Sequence, residues 1–218
     1  MIAPREFQIE RNRMLDFYYS TEADLLDVLR IIPVENHPST FSPKLYNILQ
    51  SSCSQVENLL RLLCDRFDIK YVKEPDSIYK EYSRLINKDN LLENQRVLIL
   101  PVFEPLEQAT YPFTNEEGSD YPKWWQQYNM TKHRLPEGFK KGNLGNTLNA
   151  LAGVYALHCM AYYAQYAKND FFARSNWYNP TTQWDGDGNL METWESPVPE
   201  SDLFYYAVHY NDGGAPIG

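Results

Sequence analysis

At 218 residues the chain has room for one domain of ordinary size, or a domain with an appendage. A hydrophobic share of 43% with 22% charged residues excludes general disorder. A net charge of −9 excludes a chain that coats nucleic acid through overall electrostatics, while leaving room for a local basic pocket.

Residues 5–30 alternate apolar positions (Phe7, Met14, Leu15, Tyr18, Leu25, Leu29) with charges at helical spacing, with a break expected near Ser20-Thr21, where Thr21 would cap a second segment. Pro33 through Pro38 is a connector. Ser42-Pro43 then starts a helix, Ser at the N-cap and Pro at the first helical position. From Pro43 to Phe67 the apolar residues Leu45, Ile48, Leu49, Cys53, Val56, Leu59, Leu60 and Leu63 hold a helical period. Glu57 and Arg61, four residues apart on this helix, suit an exposed ion pair. A supporting role for Glu57 beside a histidine elsewhere is the other reading.

A short helix is expected over Ser77–Ile86, and Arg96–Pro101 (R-V-L-I-L-P) reads as a brief strand. Leu100–Gly118, with three prolines, reads as irregular. Asp120 is placed to cap a helix over Trp124–Arg134, with Pro122 in its first turn. Asn143 to about Lys168 is the last long helix. Polar residues Asn146, Asn149, His158 and Gln165 interrupt it, so it reads as a buried helix rather than a membrane span.

Beyond Asn169 the texture changes to Trp, Tyr, Thr and Asn, with Asp185-Gly186-Asp187-Gly188 as a hairpin turn signal and Leu203–Tyr210 as a further strand. The expected organisation is a mainly α domain over 1–168, with an aromatic, acidic β-hairpin tail over 169–218 packed on it or on a partner. Asp185, Asp187 and Asn189 have the spacing that opens a calcium loop. Leu190 stands where that loop demands Gly and Ser196 where it demands Glu, so no metal is expected there.

Cys53, Cys64 and Cys159 cannot form a disulfide framework. The first two are about 16 Å apart along one helix, too far to bridge. All three read as buried small hydrophobes of a reduced, cytoplasmic protein. The N-terminus shows no apolar signal-peptide core.

Charge is uneven. Between Lys123 and Lys141, the cations Lys123, Lys132, Arg134, Lys140 and Lys141 face one acid, Glu137. After Asn169, Arg174 stands alone against eight acids. The basic neighbourhood holds the chemically richest stretch, Trp124–Arg134 (W-W-Q-Q-Y-N-M-T-K-H-R). On a helix Asn129 and His133 share one ridge, and Tyr128 and Lys132 the next. An imidazole beside a carboxamide, with cations close by, can bind a phosphate or move a proton. An aromatic helix laid on a core with its polar end in water explains the same residues. Gly142–Gly145 (G-N-L-G) reads either as a backbone anion site or as a plain helix entry. His37, His158 and His209 stand apart in sequence, and His158 reads as a hydrogen-bonded core residue.

Three stretches in order carry a resemblance: Phe41–Arg61 (F-S-P-K-L-Y-N-I-L-Q-S-S-C-S-Q-V-E-N-L-L-R), Tyr111-Pro112-Phe113 leading into W-W-x-x-Y-N-x-x-K-H, and Phe139–Leu157. They resemble HEPN-like helical proteins of prokaryotes and phages, over about Phe41 to Tyr166. The resemblance implies an antiparallel helical bundle, a homodimer, no cofactor and no membrane, in a phage-defence or toxin–antitoxin setting. It also implies RNA or a nucleotide as ligand, since the wider superfamily includes metal-independent endoribonucleases whose motif is Arg, a polar residue, three others and His. On this chain the polar residue falls on Asn129 and the His on His133, the catalytic candidates. Tyr128 takes the Arg position. A Tyr hydroxyl donates one hydrogen bond but brings no charge to a phosphoryl group. Lys132 or Arg134 would have to supply the cation, although both point away from the Asn129/His133 ridge.

Three readings follow from these residues. One is a HEPN-like protein of weak or no activity that binds RNA, a nucleotide or a partner through an Asn129/Lys132/His133 pocket, with Tyr128, Arg134 and Glu57 as further ligand-binding candidates. Another is an active metal-independent endoribonuclease using His133. The third is an assembly protein using the aromatic tail to hold a protein partner.

Overall fold

A computed structural model describes residues 2–32, 37–72, 78–86, 92–93, 95–99, 108–133, 138–166, 182–184, 190–192 and 199–207. Within them the chain is mainly helical. Helix α1 spans Pro4–Leu29, α2 Pro43–Arg66, α3 Ile78–Ile86, α4 Lys123–His133 and α5 Leu144–Tyr166. A 3-10 turn, Phe139–Lys141, precedes α5. Strands β1 (Arg96–Ile99), β2 (Gln108–Thr110), β3 (Thr182–Trp184), β4 (Leu190–Glu192) and β5 (Phe204–Ala207) complete the elements.

Helix α1 is continuous through Ser20-Thr21, where a break was expected. Thr21 faces the interior, and its hydroxyl donates to the Phe17 carbonyl one turn back at 2.8 Å instead of capping a new helix. Helix α2 starts as its sequence dictates: Ser42 Oγ accepts the Leu45 amide at 3.1 Å, and Pro43 opens the first turn. Its Leu, Ile, Val and Cys stripe is buried (Leu45, Leu49, Cys53, Val56, Leu59, Leu60 and Leu63 at 0% exposure), which is why a helix of such length is stable here.

Helices α2 and α5 make the most extensive contact in the molecule. They meet near their starts, where the Thr147 hydroxyl reaches the Leu45 carbonyl at 3.3 Å. Helix α1 runs antiparallel to both. Its first residues meet the end of α2 through Ile2 N to Asp65 O at 3.0 Å. Tyr18 lies on Tyr155 and His158 of α5, and Arg11 on the Tyr162 ring. Helix α5 is buried almost all round from Leu144 to Ala164, as an apolar helix at the centre of a fold must be. Among the described residues no helix is long and apolar enough to cross a membrane. Cys53, Cys64 and Cys159 are buried free thiols.

The strands at Arg96–Ile99 and Phe204–Ala207 fall where the β-rich runs place them, but their pairing is not a local matter. The sheet order is β2-β1-β5, all neighbours antiparallel, with Val97 opposite both Thr110 and Tyr206. Strand β2 is a segment expected to be irregular. It forms because β1 offers an edge to a chain returning beside it. Strands β3 and β4 pair with each other, Gln183 opposite Met191, on either side of the Asp185–Gly188 signal. Residues 185–189 themselves lie outside the described residues.

The segment after Pro199 is fastened to α1. Buried Glu22 accepts the Tyr18 hydroxyl at 2.7 Å, the Leu203 amide at 3.3 Å and the Ser201 hydroxyl. The Tyr155 hydroxyl donates to the Pro199 carbonyl at 3.3 Å, and its ring stacks on Phe204 at 5.7 Å.

Candidate functional site

Helix α4 begins at Lys123, and the Pro122 carbonyl accepts the amides of Trp125 and Gln126. Asp120 was expected to cap it. Its carboxylate instead meets Lys80 at 2.5 Å, and Ser119 organises the entry by accepting from the Tyr121 amide and from Gln126 Nε2 at 2.8 Å. The inward face is Trp124, Trp125, Tyr128 and Thr131, at the spacing of one helical stripe. Trp124 donates to the Pro112 carbonyl at 2.5 Å, and its ring packs against Phe113. Gly153 of α5 makes room for both rings, since a Cβ there would come within 3.3 Å of Phe113. Trp125 packs on Tyr79 of α3 at 4.6 Å with the rings tilted by 33°, and its buried indole N–H has no hydrogen-bond partner among the described residues.

Tyr128 is buried, at 6% exposure, and its ring packs on Trp125 at 5.2 Å. Burial raises its hydroxyl pKa, and nearby Glu57 and Cys53 add to the rise. At the position where a ribonuclease of the resembled superfamily carries Arg, this chain has a neutral core residue. Lys132, one turn on, is exposed and places Nζ 5.7 Å from the centre of the Tyr128 ring, as the four-residue spacing requires. Asn129 is half-buried and makes no hydrogen bond among the described residues. His133 is the last residue of α4. Its side chain and the whole of Arg134 lie outside the described residues.

Glu57 belongs to this cluster across the helix–helix contact. Burial raises its carboxyl pKa, and Lys132 and then Arg61 oppose the rise. The exposed Glu57–Arg61 ion pair expected from their spacing is not formed. Glu57 is half-buried between α2 and α4, and the Arg61 guanidinium turns to the Tyr82 ring at 5.6 Å. Glu57, Tyr128 and Lys132 are therefore brought together, with Asn129 on the adjoining edge. A contact that spacing could not foretell fixes the register: Gln50 Nε2 donates to Thr131 Oγ1 at 2.7 Å, and Thr131 donates to the Tyr128 carbonyl at 2.7 Å.

The G-N-L-G segment proves to be a helix entry. The Leu144 amide donates to Thr40 O at 2.8 Å, Gly145 to Pro38 O at 2.9 Å, and Asn146 to the Asn143 side chain at 3.0 Å. Those donors are taken, so no backbone anion site remains there. His158 also departs from expectation. It is fully buried, yet neither ring nitrogen has a hydrogen-bond partner among the described residues, and burial with Arg11 nearby pushes its pKa down to about 3. The neutral imidazole is packed as a hydrophobe against Tyr18 at 5.5 Å. Among the described residues no group of three or more His, Cys, Asp or Glu is placed to hold a metal.

Comparison with known proteins finds no matching family model, no matching curated protein and no matching solved structure.

Proposed function

We propose that the chain is a HEPN-like protein with weak or no ribonuclease activity, binding RNA or a nucleotide through the polar edge of α4, in a phage-defence or toxin–antitoxin setting. The observation that carries this reading is the burial of Tyr128. Phosphoryl transfer needs a cation at the oxygens where charge grows, and a buried neutral phenol supplies none. Binding asks less. Exposed Lys132 can hold a phosphate, and half-buried Asn129 offers a carboxamide that has no hydrogen-bond partner among the described residues.

The test is incubation of the full-length protein with labelled single-stranded and structured RNA, without metal, followed by both binding and cleavage. Binding that weakens as salt rises, with little or no cleavage, is the expected result. Lys132→Gln and Asn129→Ala should each weaken it. Rapid cleavage lost in His133→Ala would replace this reading with an active endoribonuclease. Failure to bind either RNA or nucleotide would reject it in favour of an assembly protein.

A further inference from the structure

Segment 37–41 crosses the start of α5, where Phe41 bridges to Asn143. Beside it lies an open groove of ≈ 460 Å³ lined by His37, Pro38, Ser39, Thr40 and Phe41. It is an open surface hollow rather than an enclosed cavity. The aromatic wall of the groove is supported from outside it. Phe139 meets Phe41 edge-on at 5.8 Å and rests in turn on Tyr46 at 5.7 Å. The Phe41 ring nevertheless stays 40% exposed. Lys140 sets Nζ 5.8 Å from the centre of that ring.

The cations tell the groove apart from a plain apolar patch. Lys44 and Lys80 pair with carboxylates, whereas Lys140 and Lys141 form no ion pair among the described residues. In a chain of net charge −9, a lysine beside an exposed aromatic ring, with no ion pair among the described residues, favours an anionic, flat ligand over another apolar surface, which would strip water from Lys140 without replacing it. A nucleobase offers a π-face to Phe41, and its phosphate offers charge to Lys140. Lys140 is also tied to α4 through the backbone before it. The 3-10 turn that carries Lys140 lies on the end of that helix, so close that a Cβ on Gly138 would come 2.6 Å from the Met130 carbonyl oxygen.

We propose that the His37–Phe41 groove takes an unpaired nucleobase stacked on Phe41, with the adjoining phosphate held by Lys140. The proposal rests on the RNA- or nucleotide-binding reading of α4 and makes single-stranded rather than duplex RNA the ligand of that edge.

The test is fluorescence anisotropy with a short labelled RNA lacking self-complementarity, a duplex of the same sequence, and free nucleoside monophosphate as competitor. The single strand should bind more tightly than the duplex. Phe41→Leu keeps apolar bulk but removes the aromatic face, and should raise Kd roughly 5- to 100-fold, the worth of one stacked base. Phe41→Trp should retain binding, which separates loss of stacking from loss of folding. Lys140→Gln should lower the slope of log affinity against log salt by about 0.7. Competition by the monophosphate that depends on Phe41 would identify a nucleotide site; competition by RNA alone would identify a site for the polymer. Binding unchanged in Phe41→Leu and Lys140→Gln but weakened by Lys132→Gln would overturn the groove and leave the α4 reading standing. Loss in the groove variants alone would do the reverse. Wild type that binds neither RNA nor nucleotide overturns both.

Discussion

Glu22 and Ser201 are 179 residues apart in sequence and hydrogen-bonded in the fold, their side chains meeting beside the Tyr18 hydroxyl. Through this contact a buried carboxylate of the first helix holds the segment that leads into β5. Ser201 also accepts the amides of Leu203 at 3.2 Å and Phe204 at 2.8 Å, so one hydroxyl organises the whole turn.

Ser201→Ala should therefore destabilise the protein by about 1–3 kcal/mol, because buried donors and an acceptor lose a partner together. For a chain of this size that is a fall in Tm of roughly 2–12 °C. Tyr18→Phe should cost a comparable amount, and the double variant less than the sum, since both side chains meet the same carboxylate. An unchanged Tm in Ser201→Ala would show that the contact contributes nothing.

The second prediction concerns acid. Buried His158 is neutral in the folded chain, with its pKa pushed down to about 3, while the unfolded chain takes up a proton there near the ordinary imidazole value of about 6.5. The folded value lies below the unfolded one, so the unfolded state binds more protons between them. The stabilisation is full above the unfolded value and is lost as pH falls toward the folded one, at no more than about 1.4 kcal/mol per pH unit. Urea unfolding of wild type and His158→Phe over that window should show the wild type losing stability faster. Parallel losses would mean that His158 is not buried neutral.

Gly138→Ala makes a third case. Its Cβ would meet backbone, 2.6 Å from Met130 O and 2.7 Å from Thr131 Cα, and backbone cannot turn aside as a long side chain can. The expected cost is about 1–3 kcal/mol, with the 3-10 turn displaced from α4. Amide hydrogen exchange should speed up at Gly142 and in the last turn of α4 while the core of α2 stays protected. Unaltered exchange at both places would remove the requirement for glycine.

Much of this architecture was legible one residue after another. The Ser42-Pro43 entry, the buried face of α2, the apolar α5 and the runs at β1 and β5 rest on local rules of capping and periodicity. At the candidate site, the neighbouring of Tyr128 and Lys132 follows from their four-residue spacing. The rest depended on which surfaces meet. Nothing in the order of residues puts Gln50 against Thr131, or brings Lys132 within electrostatic reach of Glu57. Asp120 has a capping residue's chemistry, but Lys80 competes for it. His158 was expected to be hydrogen-bonded because buried polar groups usually are. The neighbourhood of Phe41 with Lys140 is not local either, because the two lie about a hundred residues apart and come together only when segment 37–41 crosses the start of α5.

The order β2-β1-β5 has a bearing on biosynthesis. During translation β1 and β2 leave the ribosome together and can pair at once, but the other edge of β1 must wait for the last part of the chain. Until Phe204–Ala207 emerges, that edge carries unpaired amides and carbonyls open to any extended segment nearby. Closing the sheet is thus a late event, set by how fast the far end is made and finds Glu22. A nascent chain stalled short of Ser201 would present a sticky strand, where the finished protein presents a paired one.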